Sequence, residues 1–74
     1  MPYVNIKVTG GSEAPSAEQK AELIREVTDV LVRVLGKNPA TTTVIIEEIP
    51  MDNWGMGGET TTVRRRKAAA QKTS

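Results

Sequence analysis

The chain has 74 residues and contains neither His nor Cys. That removes thiol nucleophiles, Ser-His triads and the usual transition-metal ligands, and leaves chemistry to carboxylates, Lys, Tyr, hydroxyls or a terminal amine. Pro2 is the first candidate. Methionine aminopeptidases accept a small penultimate residue, so Met1 is expected to be removed and Pro2 to expose a secondary amine. An α-amino group ordinarily titrates at about 7.7 to 8.0. An apolar site disfavours its charged form and brings it toward neutrality, where a general base works best. Proline at the second position is nevertheless common, and alone it marks only a processed terminus. The other candidates are weaker. Glu47-Glu48 looks like a carboxylate pair, but neighbours on a strand point to opposite faces and cannot share one substrate. Tyr3 has a proton to donate, yet beside the terminus it serves equally well to fill an interface. Gly10-Gly11-Ser12 lacks the spacing of a phosphate-binding loop and reads as a flexible turn.

Whatever positions these residues is small. A chain this short holds one domain. Its residues are 38% apolar and 26% charged, with only two aromatics, so the core must be aliphatic. A single core of this size supplies about 3 to 5 kcal/mol, and with no Cys or His to staple it, self-association is the expected supplement. No run of about 18 to 20 apolar residues and no signal-peptide pattern is present, so a cytoplasmic protein without a membrane partner is expected. Charge divides unevenly. Residues 1–63 carry five basic and nine acidic side chains, whereas 64–74 carry five basic and none acidic.

Residues 3–8 alternate, with Val4, Ile6 and Val8 on one face and Tyr3, Asn5 and Lys7 on the other, the period of a half-buried strand. Gly10-Gly11 ends it. Ser16 with Gln19 three residues later forms a capping box. Leu23, Ile24, Val27, Val30, Leu31, Val34 and Leu35 then recur at helical spacing until Gly36 and Pro39 stop the helix. Thr41 to Glu47 is β-branched, and its Val44-Ile45-Ile46 run puts apolar side chains on both sheet faces. Strand, helix and strand make an α/β fold with a right-handed βαβ crossover and parallel strands. The helix covers one face only. The other face, carrying Ile45, calls for a second copy to complete the sheet. After Pro50, Asp52-Asn53-Trp54-Gly55-Met56-Gly57-Gly58 has the glycine density of a hairpin, with 59–63 as its returning strand. Residues 1–63 thus form one domain, and 64–74, which lack an apolar face, are expected to be a mobile basic tail.

Four separated blocks carry a resemblance that spans residues 2 to about 66. Met1-Pro2-Tyr3-Val4-Asn5-Ile6, Glu18-Gln19-Lys20 leading into Leu23-Ile24-Arg25-Glu26-Val27, Val44-Ile45-Ile46 with Glu48, and Trp54-Gly55-Met56-Gly57-Gly58-Glu59 together resemble the 4-oxalocrotonate tautomerase family. The resemblance implies a tautomerase-like subunit whose sheet is completed by dimerisation, commonly three dimers in a homohexamer. It also implies a cofactor-independent isomerase, in which Pro2 as general base and then acid moves a proton within an α-keto acid or its dienol. Arginines hold carboxylates in such enzymes, and an aromatic residue keeps the site apolar. Trp54 matches that aromatic by position.

Two departures bear on the substrate. The family's first arginine follows the strand-ending glycine, where this chain has Ser12 in a loop about three residues longer. Its second precedes the Val-Ile-Ile run, where Thr43 stands, so a bidentate donor has become a neutral hydroxyl. Ser12 and Thr43 therefore sit where the family binds carboxylate, and a dicarboxylate such as 2-hydroxymuconate becomes a poor fit. Lys7, or Arg64 to Arg66 from a neighbouring chain, are the available substitutes, as are backbone N–H groups near 12–16. Two other readings remain: a catalytically silent subunit that assembles with an active paralogue, and a binding protein whose basic tail contacts nucleic acid. The acidic body and the shortage of aromatics for stacking weigh against nucleic acid.

Overall fold

The computed structural model describes residues 1–72. Strand β1 (Tyr3–Thr9) leads through a 3₁₀ turn (Gly11–Glu13) into helix α1 (Ala17–Leu35). A second 3₁₀ turn (Pro39–Thr41) then precedes strand β2 (Thr43–Ile49). The capping box at the start of α1 is present in both halves: Gln19 N donates to Ser16 Oγ at 3.1 Å, and Ser16 N to Gln19 Oε1 at 2.8 Å. Gly36 closes the helix in the left-handed conformation, φ 65°, with its N–H on the carbonyl of Val32, where a side chain would be strained.

β1 and β2 are parallel, in a register that pairs Tyr3 with Thr43 and runs to Thr9 with Ile49. This is the expected βαβ unit. The second strand begins two residues later than the β-branched composition suggested. Asn38 Oδ1 accepts the N–H of Ala40, and Pro39 occupies the first position of the turn, so Thr41 is drawn into the turn. The register puts Val4, Ile6, Val8, Val44, Ile46 and Glu48 on one face of the pair, where Lys20 of α1 meets Glu48 at 2.8 Å. The opposite face carries Tyr3, Asn5, Lys7, Ile45, Glu47 and Ile49.

A short antiparallel hairpin follows, β3 (Gly55–Met56) with β4 (Glu59–Thr60). Its two-residue turn has positive φ at both Gly57 (61°) and Gly58 (83°), the requirement of a type I′ turn. The returning strand is shorter than expected. Thr60 ends β4 and its Oγ1 accepts the N–H of Val63, capping helix α2 (Thr61–Lys72). The basic segment expected as a mobile tail therefore continues a helix as far as Lys72; 73 and 74 lie outside the described residues. The helix has three causes. Arg, Lys, Ala and Gln favour it intrinsically. Arg65 pairs with Glu13, and Lys67 pairs with Glu59. Thr62 Oγ1 also donates to Asp52.

Among the described residues no apolar side chain is fully buried, and Thr61 is the one buried polar side chain. Ile45 of the open face is 39% exposed, and Leu23, Ile24, Val30, Val34 and Leu35 of α1 are exposed as well. The chain is also long, 51 × 24 × 18 Å, with a radius of gyration of 16.3 Å against about 11 Å for a compact chain of this length. Its 5462 Å² of accessible surface exceeds the roughly 4,450 Å² expected of a folded 8.0 kDa monomer. The apolar surface needed for a core is present but mostly uncovered.

Candidate active site

Pro2 stands immediately before β1, half-buried, and is fixed through its main chain. Its carbonyl accepts the N–H of Thr43 at 3.0 Å, which extends the parallel ladder by one bond beyond Tyr3. Pro2 and Thr43 are therefore neighbours at the leading end of the strand pair, and Met1 before them is 95% exposed. Because both strands run the same way, the residues that follow them collect at the opposite end. Gly10 N donates to Ile49 O at 2.7 Å, closing that end of the ladder.

Ser12 and Trp54 both lie beyond this trailing end. Ser12 is exposed in the 3₁₀ turn after β1. Trp54 follows a 3₁₀ turn (Met51–Asn53), and its carbonyl accepts twice from Thr61, from N at 2.7 Å and from Oγ1 at 2.9 Å. The buried Thr61 thus ties the start of α2 to the backbone of the tryptophan. The Trp54 side chain, half-buried, walls a cavity of about 420 Å³ together with Lys7, Ile49, Asn53 and Gly55. Seven strand residues at about 3.3 Å each separate the two ends by roughly 23 Å. A single chain accordingly brings Pro2 to Thr43, and keeps both away from Ser12 and Trp54.

Two of the α2 cations are paired with carboxylates. Arg65 of α2 grips Glu13 with two nitrogens, Nε on Oε2 and Nη2 on Oε1, the second at 3.2 Å. Thr9 Oγ1 donates to the same carboxylate at 2.8 Å. The Arg65 hydrogen bond first, then that of Thr9, hold the Glu13 carboxyl below the ordinary carboxylate range, while Glu13 raises the Arg65 guanidinium. Glu59 is likewise lowered, chiefly by the hydrogen bond from Lys67. On the open sheet face Asn5 Nδ2 donates to Glu47 Oε1 at 2.6 Å, with Lys7 Nζ at 3.5 Å from the same oxygen. Asn5 first and Lys7 second lower the Glu47 carboxyl. The two adjacent carboxylates face opposite ways as expected, Glu47 to Lys7 and Glu48 to Lys20. Among the described residues no group of three or more acidic side chains converges in a way that would hold a metal ion.

The Arg65–Glu13 pair was not foreseen from the sequence. A signal for the helix that delivers it exists in Thr60 ahead of an unbroken run of good helix formers, but nothing in the spacing identifies Glu13 as its target.

Comparison with known proteins places the geometry. The family model described as tautomerase enzyme matches residues 2–64. The chain is 56% identical to a probable tautomerase of Dickeya dadantii over 69 residues, covering 93% of this chain and all of that one. It superposes on the crystal structure of DmpI from Helicobacter pylori with a TM-score of 0.80 at 43% identity, covering 88% of this chain and 97% of the other. Against the heterohexameric 4-oxalocrotonate tautomerase of Chloroflexus aurantiacus the TM-score is 0.74 at 31% identity, covering 84% and 95%. With the family model spanning most of its length and the βαβ unit and hairpin in the same order, this chain belongs to the tautomerase family, in its 4-oxalocrotonate tautomerase group.

Proposed function

We propose that the chain, once Met1 is removed, is a cofactor-independent keto–enol tautomerase acting on an α-keto acid or its dienol. Pro2 is the base and then the acid. The carrying observation is the 3.0 Å bond from Thr43 N to the Pro2 carbonyl, which makes the terminal residue a fixed member of the sheet. A nitrogen held this way keeps one orientation toward a bound enol, so proximity as well as basicity contributes to catalysis. The neutral amine removes a proton from one position of the substrate, and the resulting ammonium returns a proton to another carbon. The exchange balances without an external acid or redox partner.

The site is completed between copies. Pairing a second chain antiparallel to the first would bring its Pro2 and Thr43 to the Trp54 end of this one, about the strand length that separates them within one chain. The open face with Ile45, the uncovered apolar side of α1 and the excess surface support assembly, and we propose a homohexamer of three dimers. Trp54 then walls the amine with apolar surface, and Thr43 and Ser12 contribute neutral hydroxyls near the substrate carboxylate. The nucleic-acid reading is less well supported, because Glu13 and Glu59 neutralise two of the α2 cations.

The test is ketonisation of phenylenolpyruvate and of 2-hydroxymuconate, followed by ultraviolet absorbance, with mass-verified Met1-free protein. Turnover of the monoacid that falls at least about 100-fold in Pro2→Ala is expected. Turnover unchanged by Pro2→Ala would overturn the reading.

A further inference from the structure

A carboxylate substrate in a half-apolar cavity needs a cation at its edge, and the ion-paired cations of this chain differ in how firmly they are held. Lys20 bonds Glu48 at 2.8 Å, Arg33 bonds Asp29 at 3.2 Å, Arg65 grips Glu13 through two nitrogens, and Lys67 bonds Glu59. Lys7 is different in two respects. Its Nζ stands 3.5 Å from Glu47 Oε1, beyond a good hydrogen bond, while that oxygen accepts from Asn5 at 2.6 Å. Glu47 thus has its short bond from a neutral donor, and the Lys7 ammonium makes the longest contact of these ion pairs. Second, Lys7 is the cation among the side chains lining the Trp54 cavity, where Ile49 and the indole supply the apolar wall and Asn53 an amide.

We propose that Lys7 binds the carboxylate of a small monocarboxylic keto or enol acid in the Trp54 cavity, and so sets the substrate class. The assignment rests on the tautomerase reading above, since the amine that reacts there is Pro2 of a second copy; Lys7 and Pro2 of one chain are five strand residues, roughly 16 Å, apart. One ammonium holds one carboxylate. The apolar remainder of the cavity receives the alkyl or aryl end of the substrate, and the Asn53 amide is available to the keto or enol oxygen. Arg65 is excluded from this role by its two bonds to Glu13 and by its position on a different cavity, beside Glu59 and Arg64.

Trp54, the sole tryptophan, reports occupancy by its fluorescence. The experiment titrates Met1-free protein with benzoate and with its neutral isostere benzamide, for the wild type, Lys7→Gln and Lys7→Arg. Circular dichroism and sedimentation verify that the variants keep their fold and assembly. Benzoate is expected to bind the wild type, to weaken about tenfold or more in Lys7→Gln, and to recover within about threefold in Lys7→Arg, with benzamide unmoved by either. Absence of benzoate binding to the wild type, equal benzoate affinity in Lys7→Gln, or equal losses for benzoate and benzamide would each overturn the proposal. In the turnover assay with phenylenolpyruvate, Lys7→Gln is expected to raise KM about tenfold with kcat within threefold. If Pro2→Ala abolishes turnover and Lys7→Gln leaves KM unchanged, the Lys7 assignment alone fails. If Pro2→Ala leaves turnover intact, the tautomerase reading fails, whatever benzoate does.

Discussion

The two faces of the β1–β2 pair are made from alternate residues of the same strands, and they have been built for different purposes. The face under α1 is aliphatic along Val4, Ile6, Val8, Val44 and Ile46 and is clipped at its end by Lys20 on Glu48. The open face interleaves Ile45 and Ile49 with Tyr3, Asn5 and Glu47, joined by hydrogen bonds from Asn5, and with Lys7, whose ammonium stands 3.5 Å from Glu47. A face meant for permanent solvent would not carry two isoleucines, and one meant only for a dry core would not carry Lys7 and Glu47. Mixed apolar and internally satisfied polar groups suit an interface beside a functional cavity.

The largest effect is expected from reversing the character of the open face. Ile45→Glu should weaken assembly by at least about 100-fold, read by sedimentation, because it places a second carboxylate on the open face beside Glu47 and removes the apolar patch together. Retention of the same assembled mass would remove the open face from the interface. Ile46→Ala, one residue away on the covered face, should leave the assembled mass unchanged and cost about 1 to 3 kcal/mol in urea unfolding, below the cost for a fully enclosed side chain because this one is half-buried. Equal effects of the two substitutions on assembly would erase the distinction between the faces.

The smallest effect concerns charge. The Glu47 carboxyl is lowered in the folded chain, first by Asn5 and then by Lys7, from an ordinary value of 4.5. A carboxylate lowered on folding contributes stability above its unfolded value, and that contribution is lost as pH falls through the lowered folded value. Asn5→Ala should therefore move the Glu47 titration back toward 4.5, followed by the carboxyl carbon in nuclear magnetic resonance, and should shift the acid limit of folding only slightly because the group is exposed. A Glu47 titration that does not respond would show that Lys7 alone holds the charge.

Most of the fold is legible in the sequence because its signals are local and strong: alternation over 3–8, the Ser16/Gln19 box, heptad-like spacing through α1, and the paired glycines at 57 and 58. Pro2 and Trp54 are legible as chemical types. Their separation in one chain follows from the parallel pairing already expected, yet it becomes plain only when Thr43 N is seen on the Pro2 carbonyl. What escaped is non-local. Helix α2 depends partly on Glu13 and Glu59, 52 and 8 residues from their partners, and no periodicity reports an ion pair across such a distance. The proposed choice of Lys7 over Arg65 was equally closed to sequence, which offers both as cations and says nothing of their surroundings.

The bond that fixes Pro2 uses the main-chain N–H of Thr43 and makes no demand on its side chain. Any residue but proline at that position can make this bond, so the placement of Pro2 is insulated from changes in the side chain beside it. On the proposed mechanism, a lineage can therefore exchange an arginine for a threonine here, and one substrate for another, without first rebuilding the end of the strand that carries Pro2. In that sense the ladder bond makes the scaffold evolvable: under the proposed mechanism, recruitment to a new acid begins with the proton-transfer residue already in place.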